Sequence, residues 1–276
     1  MSSDDPTFSW TDAEKDLMEG IDTTVPHSAR IWNYWLGGRD NYPVDRQAGD
    51  EFCKVYPGIV DDARAYRQFI SRTVRHLAGE VGIRQFLDVG TGLPTAENTH
   101  EVAQRVAPTS RIVYVDNDPL VLVHARALLT STPEGVTNYV EADLRDPAEI
   151  LRAAERTLDF TRPIALILSG VLGHVADDEE AFSIVNRLMG GLPSDSFLML
   201  QDSTTLSSKA NSDALERYND SGAVPYNKRR LDTIAHFFDG LELIEPGVTP
   251  IQQWRPDATT DPAVTVNPYG GVGRKI

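Results

Sequence analysis

Gln85-Phe86-Leu87-Asp88-Val89-Gly90-Thr91-Gly92-Leu93-Pro94-Thr95 is the stretch that decides the fold. A short apolar run closes in two glycines and residues 96–106 then read as helix, so the order is strand, turn, helix. Gly90 and Gly92 permit backbone conformations and a close ligand approach that a Cβ would prevent. Taken alone, such a turn is equally a tight connection with no ligand.

The pattern extends in both directions. Upstream, Ala63, Tyr66, Ile70, Val74 and Leu77 recur at three- and four-residue spacing, which predicts a helix from Asp61 to near Gly79. Downstream, residues 111–115 read as a second strand, followed by a helix with Asp118 as N-cap and Pro119 at its first position. Residues 136–141 read as a third strand, 147–157 as helix, and 164–168 as an apolar run suited to a strand buried on both faces. The acids at 177–180 suit the positive end of a helix whose core stripe is Ala181, Ile184, Val185, Leu188 and Met189. Residues 197–200 and 241–245 read as strands around helical stretches at 208–219 and 227–238, and the Gly-rich tail from Tyr269 is expected to return as an edge strand. Strands alternating with helices at this spacing predict a doubly wound, mostly parallel, Rossmann-like α/β sheet.

Residues 1–60 differ, being rich in Trp, Tyr, Gly and Asp without a strand pattern. They read as a helical extension or lid contributing to the active site, ahead of a main domain over 61–276. Thr11 and Glu14 fit a capping box for a helix over 12–19 that Gly20 would end. The acidic start lacks a basic, then apolar, signal pattern.

In an open parallel sheet, ligands bind beyond the carboxyl ends of the strands. The candidate cofactor residues are therefore Gly90, Thr91 and Gly92 after the first strand, Asp116 and Asn117 after the second, Asp143 and Leu144 after the third, and Ser169 at the fourth. Asp116 would accept both ribose hydroxyls of a nucleoside, leaving Asp118 to cap the helix. Asp143 would meet an adenine amino group while Leu144 packs on the ring. A dinucleotide dehydrogenase uses a similar loop, but Thr95 stands where its third glycine belongs. The acid also follows Gly90 by 26 positions against the usual distance of about 20.

The segment Val25-Pro26-His27-Ser28-Ala29-Arg30-Ile31-Trp32-Asn33-Tyr34-Trp35-Leu36-Gly37-Gly38-Arg39-Asp40-Asn41-Tyr42, with Asp45-Arg46, resembles the N-terminal signature of the actinobacterial S-adenosyl methyltransferase family, long a domain of unknown function. The glycine loop through Thr95, the run Val115-Asp116-Asn117-Asp118-Pro119 and the ending Gly270-Gly271-Val272-Gly273-Arg274-Lys275 are similar to the same family. The resemblance covers nearly the whole chain and implies the class I methyltransferase fold with S-adenosyl-L-methionine as cofactor. It implies no acceptor. One departure concerns the fourth strand, where a Leu-His pair is expected and Leu172-Gly173-His174 is found.

The expected catalytic residues are His174 as general base, Tyr34 and Asp202, and those expected to bind substrate are Tyr34, Arg39 and His174. Trp32, Tyr34 and Trp35 suit core packing of the extension equally well. No metal is expected, since the acids at 177–180 are explained by the helix start. The net charge of -15 and pI near 4.8 disfavour nucleic acid and anionic membranes, leaving a small-molecule acceptor methylated at N, O or C. Lys228-Arg229-Arg230 reads as a solvated helix face. A single cysteine, Cys53, fits a reducing compartment, and cytoplasm is the expected location. The alternative function is a non-catalytic sensor of the same cofactor or its demethylated product.

Overall fold

A computed structural model of the chain describes residues 22–121, 131–258, 260 and 266–276. The expected helix over 12–19 and its capping box lie outside these residues.

One sheet organises the molecule. Strands β1 (Gln85–Val89), β2 (Arg111–Asp116), β3 (Val136–Glu141), β4 (Ala165–Ser169) and β5 (Phe197–Ser203) run parallel in the order β3-β2-β1-β4-β5. The sequence order reverses between β1 and β4. Beyond β5 come β8 (Pro268–Lys275) and β6 (Leu241–Leu243), with the short β7 (Thr249–Pro250) also pairing with β8. The tail is therefore no edge strand. It is an interior strand, antiparallel to both β5 and β6. Its glycines explain the position, since a Cβ on Gly270 would lie 2.7 Å from the Leu200 carbonyl oxygen and 3.0 Å from the Phe69 ring.

Each strand divides its side chains between two cores, because successive residues face opposite sides. Phe86, Ile112, Tyr114, Ile167 and Met199 join the helix α3 (Ile59–His76), which continues as a wider turn to Val81, and α4 (Thr99–Val106). Leu87, Val113, Leu166, Leu168 and Leu198 join α5 (Pro147–Ala154) and α6 (Asp178–Gly191) on the other side. Helix starts follow side-chain capping, as at Asp177, whose carboxylate accepts from Glu180 N at 2.8 Å, and Asp118, which accepts from Leu120 N at 2.9 Å.

A third core joins α1 (Ser28–Trp35) and α2 (Pro43–Val55) to α7 (Lys209–Asn219) through Ile31, Trp35, Phe52, Ala214 and Tyr218. Much of the N-terminal signature locks this unit. Arg30 donates to the carbonyls of Asp22 and Val25, and fully buried Asp45 accepts from His27 N at 2.9 Å and Tyr42 N at 2.8 Å.

The basic triplet also departs from expectation, because helix α8 spans only Leu231–His236. Arg229 is 3% exposed and donates to Leu172 O, Val175 O and Asp178. Lys228 is half-buried, and Arg230 alone is solvated, against Asp232. Carbonyls at the turn after β4, which have lone pairs to spare, hold the Arg229 guanidinium inside the fold.

Candidate functional site

At the β1–β4 switch point, Gly90 and Gly92 take φ of +75° and +67°. A Cβ on Gly90 would stand 2.4 Å from Val171 Cγ2, whereas one on Gly92 would meet nothing within 4 Å. Only glycine tolerates the first position, and the second leaves open space where a ligand can approach the backbone. The loop is tied to β2, since Gly92 N donates to Asp116 Oδ2 at 2.8 Å and Gly90 N donates to Val115 O at 2.8 Å.

Asp116 is 9% exposed, and its other oxygen accepts from Asp118 N at 3.0 Å. Burial raises its carboxyl above the ordinary value, opposed by the two backbone N–H groups. Asp88, beneath the loop, is pushed up to about 6 by burial, opposed by the hydrogen bond from Thr99 and by Arg67. Asp143 accepts from Arg145 N at 2.8 Å, and Leu144 lies buried beside it. Ser169 Oγ accepts from Gln201 Nε2 at 2.7 Å.

Gly90, Thr91, Gly92, Asp116, Asn117, Asp143, Leu144 and Ser169 all line one cleft of about 1280 Å³ of empty space, its open mouth included. His27, Trp32 and Asn33 close one side of it, and Arg67 reaches in from α3. Arg67 Nη2 donates to Glu97 O at 3.0 Å while its Nε is buried without a partner. His27 Nδ1 lies 3.0 Å from Asp118 Oδ2 and 3.3 Å from Ala29 N. The first contact needs a proton on that nitrogen and the second a lone pair, so the tautomer selects one.

A second cavity, about 490 Å³ of empty space with its opening, adjoins the first and shares Ser28, Trp32 and His174 with it. Trp35, Phe52, Tyr218 and Tyr226 give it aromatic walls, and Ser203, Asn211 and Lys228 are its polar points. His174 Nδ1 sits 3.0 Å from Pro225 O. A carbonyl only accepts, so Nδ1 holds the proton and Nε2 keeps its lone pair. Burial lowers the His174 pKa, opposed by that hydrogen bond.

The other expected residues lie elsewhere. Tyr34 donates to Asp50 at 2.7 Å on the outside of α2, Arg39 is exposed, and neither lines either cavity. Asp202 is 1% exposed behind the second cavity, accepting from Tyr226 O–H and from Ser203 N at 2.9 Å. Burial pushes its carboxyl up to about 6, opposed by the Tyr226 hydrogen bond and Arg229. Arg67 and Asn211 stand in no motif and went unnoticed, and Lys228 drew attention only as part of a basic run read as solvated. The aromatic signature and His174 were the sequence hints of the second cavity.

Among the described residues no group of three or more His, Cys, Asp or Glu side chains is placed to hold a metal ion. Nor is any described helix long and apolar enough to cross a membrane.

A family model described as S-adenosyl methyltransferase matches residues 14–276. The chain belongs to that family. A DUF574 family protein from Streptomyces avermitilis is 46% identical over 92% of this chain and 99% of its own, with a TM-score of 0.89. A protein from Thermobifida fusca named as a candidate methyltransferase is 39% identical over 93% and 97%, with a TM-score of 0.85. Magnesium protoporphyrin IX methyltransferase from Synechocystis, crystallised with SAH, shares the fold at 12% identity over 89% and 93%, with a TM-score of 0.52. No protein of curated function matches the chain.

Family membership makes methyl transfer the activity and S-adenosylmethionine the cofactor, on a class I Rossmann-like fold. The residues present fit that cofactor. The space beside Gly92 is open, a buried carboxylate ends β2, and the unpartnered Arg67 Nε suits the amino-acid carboxylate.

Proposed function

We propose that this methyltransferase acts on a small-molecule acceptor, at N, O or C, held in the aromatic chamber next to the cofactor cleft. The observation that carries the reading is the sharing of Ser28, Trp32 and His174 by both cavities. An acceptor in the chamber and a cofactor in the cleft would meet there.

In this reading Asp116 holds the ribose hydroxyls, with Asn117 beside it. Asp143 and Leu144 take the adenine, and the Gly90-Thr91-Gly92 backbone, Ser169 and Arg67 take the methionine end. The cofactor, when bound, supplies an electrophilic methyl group. The chain's part is to position and dry the acceptor. His174 Nε2 receives the proton of an acceptor that arrives as O–H or N–H, and burial keeps the imidazole neutral and ready at pH 7. Asp202 acts at one remove, fixing Tyr226, whose ring meets that of His174 edge-on at 5.3 Å. The described part of residues 1–60 serves as the lid, with Trp32 and Trp35 facing the acceptor in place of Tyr34 and Arg39.

The test is transfer of labelled methyl groups from S-adenosylmethionine in a metabolite extract to which protein and nucleic acid have been added. Label in the small-molecule fraction, lost in His174→Gln, is the expected result. Label confined to macromolecules would overturn the acceptor class.

A further inference from the structure

Lys228 is the feature of the chamber that the methyl-transfer chemistry does not use. It is the chamber's sole Lys or Arg among the described residues and stands among aromatic and aliphatic walls. Its Nζ donates to Ser207 Oγ at 2.6 Å and Ser212 Oγ at 3.3 Å, both neutral. An ammonium has three N–H donors, so one is left. Among the described residues no carboxylate lies within salt-bridge distance of it. Asp62, whose field reaches Lys228, spends its oxygens on Asn267 and Tyr56.

Two further observations bear on the ligand, the first on its charge and the second on a donor that it carries. Ser207 and Ser212 bracket the start of α7, and no acidic residue stands in that helix's first turn to offset its positive end. On the same turn Asn211, 4% exposed, lines the chamber with its Oδ1 buried and unpartnered. That oxygen only accepts, so it calls for an O–H or N–H on the body of the ligand and not for its carboxylate.

We propose that the chamber selects an acceptor with one negative charge, a carboxylate on a planar apolar body, whose charge pairs with Lys228 and whose rings lie against Trp35, Phe52 and Tyr218. One ammonium without a guanidinium suits a monoanion better than a phosphate. The aromatic walls suit flat ring systems. Burial lowers the Lys228 pKa to about 8, against the field of Asp62. Anion binding should therefore weaken as pH rises past that value. This inference rests on the chamber being the acceptor site.

The experiment is titration calorimetry on the full chain saturated with S-adenosylhomocysteine, using a panel of one- and two-ring aromatic carboxylates and their primary amides. Carboxylates should bind at least tenfold tighter than the matched amides. Lys228→Met should erase that preference, Lys228→Arg should keep most of it, and Asn211→Asp should reverse it while leaving the amides bound. Equal affinity of acids and amides, binding by no carboxylate of the panel, or a preference that survives Lys228→Met would overturn the proposal. Leu215→Trp, which fills the chamber from α7, separates the two levels. If it abolishes binding of acids and amides that bind alike, the chamber stands and the charge selection falls. If it leaves all binding unchanged, the chamber is not the acceptor site.

Discussion

Gly173→Ala should cost the protein a few kcal/mol while sparing the cofactor. A Cβ there would lie 2.2 Å from Tyr226 Cε2 and 2.3 Å from its Cζ, so the ring has to move. Forcing a methyl group into packed space costs about 1–3 kcal/mol. Moving the ring also breaks the Tyr226 hydrogen bond to the Asp202 carboxylate, about 1.5–3 kcal/mol for a charged acceptor. The sum is about 2.5–6 kcal/mol, or about 5–12 °C in Tm at roughly 2 °C per kcal/mol for a chain of this size. Urea unfolding at pH 7.5, where Asp202 is ionised, should be compared in the parent and in Tyr226→Phe. In Tyr226→Phe the hydrogen-bond share is already gone, so Gly173→Ala should cost only about 1–3 kcal/mol. Gly173 does not line the cofactor cleft, so S-adenosylhomocysteine affinity should stay unchanged while methyl transfer falls. A cost below about 0.5 kcal/mol, within the range of neutral surface changes, would refute the packing argument. An equal cost in both backgrounds would refute the hydrogen-bond share. The prediction also explains why glycine separates Leu172 from His174, since this is where Tyr226 crosses the turn.

Three other outcomes follow from the same geometry. Burial lowers the His174 pKa from the ordinary 6.5, so the rate should be flat through neutral pH and fall only below that ordinary value as the imidazole protonates. His174→Gln should remove that limb and about 10²–10⁴ of turnover, and an unaltered pH profile would exclude the base. Asp202, raised from 3.8 to about 6, keeps a proton in the native state that the unfolded chain loses first, so stability falls as pH rises between those values. Denaturant midpoints of Asp202→Asn should therefore gain on the parent from pH 4 to pH 6.5, by at most about 3 kcal/mol, and parallel pH curves would contradict this. Arg67→Ala should weaken S-adenosylhomocysteine at least tenfold by calorimetry yet leave methylthioadenosine, which lacks the amino-acid end, unaffected. Equal losses for both would remove Arg67 from the carboxylate.

The inner strands β1, β2, β4 and β5 were legible because each is a short apolar run buried on both faces, and β1, like the half-buried edge strand β3, was bounded to the residue. The cofactor candidates were legible for the same reason, since a parallel sheet brings the residues after its strands to one edge. β8 was misplaced because its glycines look like loop, and what makes them strand is the crowding of Gly270 by Leu200 and Phe69, far away in sequence. The triplet at 228–230 failed similarly. Arg229 leaves solvent for carbonyls at 172 and 175, which no local pattern announces. In the signature, helix phase decides which aromatics face inward. Trp32 and Trp35 reach the chamber, while Tyr34 turns to Asp50.

The central claim is that the strand ends bind the adenosyl cofactor through Asp116. Its most direct test is binding of S-adenosylmethionine, S-adenosylhomocysteine and NADH, by heat and by thermal stabilisation, to the intact protein and to Asp116→Ala. Both adenosyl ligands should bind the intact protein, stabilising it by about 2.7 kcal/mol at a hundred times their dissociation constant. Both should bind Asp116→Ala far more weakly, and NADH should bind neither. Stabilisation by NADH alone, or adenosyl binding indifferent to Asp116→Ala, would contradict it.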